Sequence, residues 1–132
     1  MENNLNSTGR GLPVSDMGLS DGQTASLVGF EDNSLSEILE AVGVEIVDAK
    51  KPGRRDHYFV YMDSLESTIT FGLLKQRQGK TGAIWAIFKK ENKELTRPEI
   101  LTAAEQKNLT VVFETDYQQE FEMIKFMQEQ AG

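Results

Sequence analysis

Residues 57–90 read HYFVYMDSLESTITFGLLKQRQGKTGAIWAIFKK. This stretch holds the only Trp and the only His of the chain, two of its three Tyr and three of its seven Phe. Its apolar residues alternate in three runs, at 57–62, 68–74 and 83–89, and alternation with period two marks half-buried strands. In the first run Tyr58, Val60 and Met62 share one face, with His57, Phe59 and Tyr61 on the other. In the second, Ile69, Phe71 and Leu73 oppose Thr68, Thr70 and Gly72. The third is apolar on both faces, so its sheet needs cover on both sides: helices on one, and the N-terminal tail, a second subunit or a ligand on the other.

Outward from this stretch, residues 1–32 are rich in Gly, Ser, Asn and Asp without helical or strand period, which predicts a flexible tail. Two apolar strips interrupt it, Leu12-Pro13-Val14 and Ser26-Leu27-Val28-Gly29-Phe30, either of which could dock on the domain. Ser34-Leu35-Ser36-Glu37 has the spacing of a capping box, and Leu35, Ile38, Leu39 and Val42 form one apolar stripe, predicting a helix over 35–42 stopped by Gly43. A strand follows over 44–49, then a Pro52-Gly53 turn flanked by four bases. Beyond the third run, Thr96-Arg97-Pro98-Glu99 is a second capping box opening a helix to about Gln106. Residues 109–113 read as a strand, and Asp116 as the cap of a closing helix to about Gln130. The predicted fold is α+β: a single domain over 33–132 with a mainly antiparallel sheet of about five strands and two to three helices, in the order α-β-β-β-β-α-β-α.

The formal charge of −7 hides a segregation along the chain. Residues 50–97 carry eleven bases against five acids, and the remainder three bases against sixteen acids. Cysteine is absent, which removes disulfides and thiolate ligands. No apolar run reaches membrane-spanning length and the N-terminus lacks the features of a secretory signal, so a cytoplasmic protein with no membrane partner is expected.

Gln78-Gly79-Lys80-Thr81 ends like a phosphate-binding loop, but the glycine required five residues before Gly79 is Leu74. The single His57 lacks a nucleophile or metal-ligand pattern around it, and the carboxylates are scattered, so no enzyme, no catalytic residue, no metal and no cofactor is expected. What remains is a basic, aromatic sheet. Single-stranded nucleic acid is held by cationic loops along its phosphates and aromatic faces under its bases. Lys50, Lys51, Arg54, Arg55, Arg77, Lys80, Lys89, Lys90 and Lys93 supply the cations, and Phe59, Tyr61 and Trp85 the platforms. The expected function is a small non-enzymatic module binding single strands or a nucleoprotein complex. The rival is an acidic protein-binding adaptor, inhibitor or chaperone-like factor, homodimeric in one arrangement, acting through its uncovered sheet face or C-terminal helix.

Overall fold

The computed structural model describes residues 13–30, 33–78 and 81–128. The chain runs β1 (Thr24–Val28), α1 (Ser34–Ala41), β2 (Glu45–Ile46), β3 (His57–Tyr61), a 3-10 turn (Leu65–Ile69) leading into α2 (Thr70–Gln78), β4 (Ala83–Lys89), α3 (Arg97–Gln106), β5 (Leu109–Tyr117) and β6 (Phe121–Gln128). The strands form one six-stranded sheet in the order β2-β1-β3-β4-β6-β5. β1 is parallel to both β2 and β3, and β3 to β4, while β6 is antiparallel to its neighbours β4 and β5. This mixed, mostly parallel sheet replaces the mainly antiparallel five-strand sheet expected.

Three corrections produce that change. The strand expected over 68–74 is a helix. Its buried side chains, Phe71, Leu74 and Gln78, recur at helical rather than strand spacing. Two parallel neighbours cannot be joined by a tight turn and need a crossover of a dozen or so residues, which α2 with its lead-in supplies between β3 and β4. The expected hairpin at Gln78–Thr81 is therefore a helix-to-strand connection, of which Gly79 and Lys80 lie outside the described residues. The closing helix expected after Asp116 is instead strand β6, folded back on β5 through Gln118 and Gln119, both at positive φ (53° and 62°). Finally, the expected tail contains an interior strand of the sheet. Residues 1–12 are outside the described range, but Thr24–Val28 pairs with a strand on each side.

The sheet divides two cores. On one face, Phe59, Trp85, Ile87 and Met123 pack beneath Leu35, Ile38 and Leu39 of α1 and beneath Met17 and Leu19 of the segment before β1. On the other, Tyr58, Val60, Ile84, Ala86, Ile124 and Phe126 pack against Phe71 and Leu74 of α2 and Ile100 and Ala104 of α3. The cover that the aromatic face requires thus comes from α1 and from the chain just before β1. The Thr96 capping box forms, with the Thr96 amide donating to Glu99 Oε1 at 2.9 Å. The box expected at Ser34 does not: Asn33 takes the N-cap position, and Ser34 Oγ lies 2.9 Å from Tyr117 Oη. Gly43 (φ +92°) ends α1 as expected.

Candidate functional site

In an open sheet with parallel strands, ligands bind outside the carboxyl ends of the strands, where successive crossovers leave in opposite directions. Here that point lies between β1 and β3, because the chain leaves β1 for β2 on one side and returns to β3 on the other. A cleft of about 380 Å³ opens there. Its walls come from the residues following β1, the start of α1, the end of β3 and the β5–β6 hairpin.

Gly29 shapes the entrance. It sits at φ +85°, and a Cβ there would come within 3.3 Å of the Tyr61 carbonyl oxygen, so only glycine lets β1 exit this close to the end of β3. Beyond it the walls are aromatic. Phe30 and Tyr61 lie 6.1 Å apart between ring centroids, Tyr61 meets Phe121 at 6.1 Å edge to face, and Phe121 meets Tyr117 at 6.0 Å. Polar groups are few. Ser34 Oγ and Tyr117 Oη form a pair, which Gln118 Nε2 joins at 3.4 Å. Asp63 adds an exposed carboxylate with no ion-pair partner among the described residues. Polar and apolar surface contribute about equally to the lining, and the volume falls in the range usual for small-molecule sites.

Asp48 follows β2 at the same end of the sheet, nineteen residues beyond Gly29. That is the spacing at which an acid in folds of this kind accepts from the hydroxyls of a ribose. The connection from β1 to α1, Gly29-Phe30-Glu31-Asp32-Asn33, carries one glycine and two acids. The sequence between β1 and α1 thus lacks the repeated glycines of a phosphate-binding loop.

The residues expected to bind nucleic acid do not converge. Phe59 and Trp85 are fully buried and stack on each other at 5.2 Å, so neither is a platform. Arg55 is buried too. Its guanidinium donates to Ser26 Oγ (2.8 Å) and to the carbonyls of Arg54, Asp48 and Lys51, and lies 5.6 Å from the centre of the Tyr58 ring. Lys50, Lys51 and Arg54 are exposed in the connection entering the amino end of β3, and Arg77 joins them by donating to the Ala49 carbonyl. Lys89, Lys90 and Lys93 follow the carboxyl end of β4, at the opposite end of the sheet, where Lys90 pairs with Asp116 at 3.3 Å. Lys80 lies outside the described residues. Of the eleven that lie among the described residues, only Tyr61 lines the cleft.

His57 is a structural residue of the opposite strand ends. Trp85 Nε1 can only donate, and it donates to His57 Nδ1 at 3.1 Å, so the ring's proton sits on Nε2, 3.1 Å from Gln23 Oε1. Burial, aided by the nearby Lys125 ammonium, lowers the His57 pKa to about 4. Lys125 lies over the Trp85 ring and donates to the Met17 carbonyl at 3.0 Å, and burial lowers its own pKa. Among the described residues no cluster of His, Cys, Asp or Glu could hold a metal ion. No helix among them is long and apolar enough to cross a membrane.

Several solved structures that superpose on the chain are methyltransferases. The N-methyltransferase NodS from Bradyrhizobium japonicum superposes with a TM-score of 0.65 at 10% identity, over 98% of this chain and 97% of that one. A ribosomal protein L11 methylase from Lactobacillus delbrueckii gives 0.64 at 10%, over 96% of this chain and 76% of that one. A TehB-like SAM-dependent methyltransferase from Corynebacterium glutamicum gives 0.60 at 11%, over 96% and 94%. At these identities the likeness establishes the fold. No family model and no curated protein matches the sequence. The expectation of a non-enzymatic nucleic-acid module or adaptor is overturned with the sheet on which it rested. Its open aromatic face and its C-terminal helix do not exist, and the fold is one that carries methyl transfer in these solved structures.

Proposed function

We propose that this protein is a methyltransferase that holds S-adenosylmethionine in the cleft between β1 and β3. The observation that carries this reading is the coincidence of the cleft with the switch point of a sheet ordered as in methyltransferases. The side chains present suit the group. Phe30 and Tyr61 offer aromatic faces, which attract a sulfonium by cation–π interaction and take an adenine by stacking. Asp63 is the acid on the cleft wall for an ammonium, while Asp48, at the sequence spacing of a ribose acid, lies outside the lining and accepts the Lys50 amide at 2.9 Å. When bound, the cofactor supplies an electrophilic methyl group. The chain's own work is to orient it between Phe30 and Tyr61 and to exclude water with the Tyr117–Phe121 wall.

The test is calorimetric titration of the full chain with S-adenosylmethionine and with S-adenosylhomocysteine. Saturable binding to one site is expected, weakened about tenfold by Tyr61→Ala, since one aromatic stack contributes roughly 1–3 kcal/mol. Gly29→Val should abolish it by crowding the Tyr61 carbonyl. Absence of saturation up to about 1 mM, where the binding free energy is only about −4 kcal/mol, overturns the reading.

A further inference from the structure

Most large side chains of this protein are covered, but α2 and its lead-in turn leave a set uncovered. Leu65 is 55% exposed, Ile69 65% and Leu73 62%. Ile69 and Leu73 stand one helical turn apart and line a groove of about 600 Å³ with Gly72, Lys75, Lys107 and Gln128. The groove shares none of the cleft's lining residues.

Charge along this segment is ordered. Glu66 is exposed at its N-terminal half, whereas Lys75 and Arg77 occupy the last turn of α2. Lys107, from the end of α3, adds a second cation to the groove, its Cε 3.3 Å from where a Cβ on Gly72 would be. Neither Glu66, Lys75 nor Lys107 has an ion-pair partner among the described residues. An acidic half and a basic half separated by an apolar centre make a surface complementary to itself when turned end for end. Two-fold symmetry is the commonest way for a chain to pair with its own copy, and it requires this kind of self-complementarity. Parallel packing would instead set Lys75 beside Lys75.

We propose that this groove is a self-association surface, at which a second copy of the chain packs α2 antiparallel on α2 about a two-fold axis passing between Ile69 and Leu73. Ile69 of each copy meets Leu73 of the other, and Glu66 of each faces the Lys75 and Lys107 cations of the other. The antiparallel arrangement also opposes the helix dipoles favourably. The surface is small, so the dimer is weak and concentration-dependent.

Sedimentation of the full chain across the micromolar to millimolar range tests this. The expected result is a reversible monomer–dimer equilibrium. Leu73→Glu should raise the dimer Kd at least about 30-fold, as for a central anchor. Glu66→Lys should raise it about tenfold through two symmetric pairs, and Glu66→Lys with Lys75→Glu should restore it to within about threefold of the parent. All these side chains are partly or fully exposed, and unchanged Trp85 fluorescence verifies that each variant folds. A chain that stays monomeric throughout overturns the proposal, as does a dimer indifferent to Leu73→Glu. Failure of the double reversal to restore association overturns the antiparallel arrangement.

Discussion

Lowering the pH should destabilise this protein through one residue, His57, before its carboxylates are broadly protonated. The ring is buried, and its Nδ1 is committed to accepting from Trp85. Protonation would place a second donor against the indole N–H, close to the Lys125 ammonium. Its pKa is accordingly lowered from 6.5 to about 4, with burial the main cause. The sign follows. The unfolded chain takes up this proton as pH falls through 6.5, the folded chain only near 4, so stability is lost between those values and the loss levels off below them. A single such group costs about 2 kcal/mol between pH 7 and pH 5, and about 3 kcal/mol in full. Urea unfolding followed by the fluorescence of the single tryptophan reads the effect at the contact itself. Comparison with His57→Gln, which keeps a hydrogen-bonding side chain without a proton to gain, removes the background from other groups. A parent protein that loses no more stability than His57→Gln between pH 7 and pH 5 refutes the reasoning.

Two further changes probe the frame of the fold. Arg55→Met should cost about 3 kcal/mol in urea unfolding, because it strips donors from three carbonyls and from Ser26 in a buried position. A loss under about 1 kcal/mol would mean that water replaces the guanidinium. Thr96→Ala should cost about 1 kcal/mol by opening the capping box of α3, while leaving ligand titrations in the distant cleft unchanged.

Much of the local structure was legible, and the errors fall where local pattern and long-range pairing disagree. Helices α1 and α3 and strands β3 and β4 stand where their apolar spacing places them, and the cap of α3 forms as its spacing indicates. Over 68–74, by contrast, Ile69, Phe71 and Leu73 satisfy a period of two as well as Phe71, Leu74 and Gln78 satisfy a helix, and seven residues cannot separate the two. What decides it is that β3 and β4 are parallel, a fact absent from the segment itself. Residues 121–128 are rich in Glu, Met, Lys and Gln, good helix formers, yet they lie between β4 and β5, where pairing overrides preference. Their turn gives no warning: Gln118 and Gln119 adopt the positive φ that hairpins usually assign to Asn and Gly. The cleft suffered in consequence. Its one readable sign was the apolar Leu27-Val28 run broken by Gly29 just before a helix, with Asp48 following at ribose-binding distance in sequence.

The position of β1 bears on how the chain is made. It leaves the ribosome well before β3, whose partner residues come 32 positions later, as for Ala25 and His57. At ordinary rates of synthesis this strand waits roughly 2–6 s before its inner neighbour exists. During that interval its five residues have only the two-residue β2 to pair with. This strand is therefore completed late, and the nascent chain depends on α1, with its own apolar stripe, to shield it until β3 arrives.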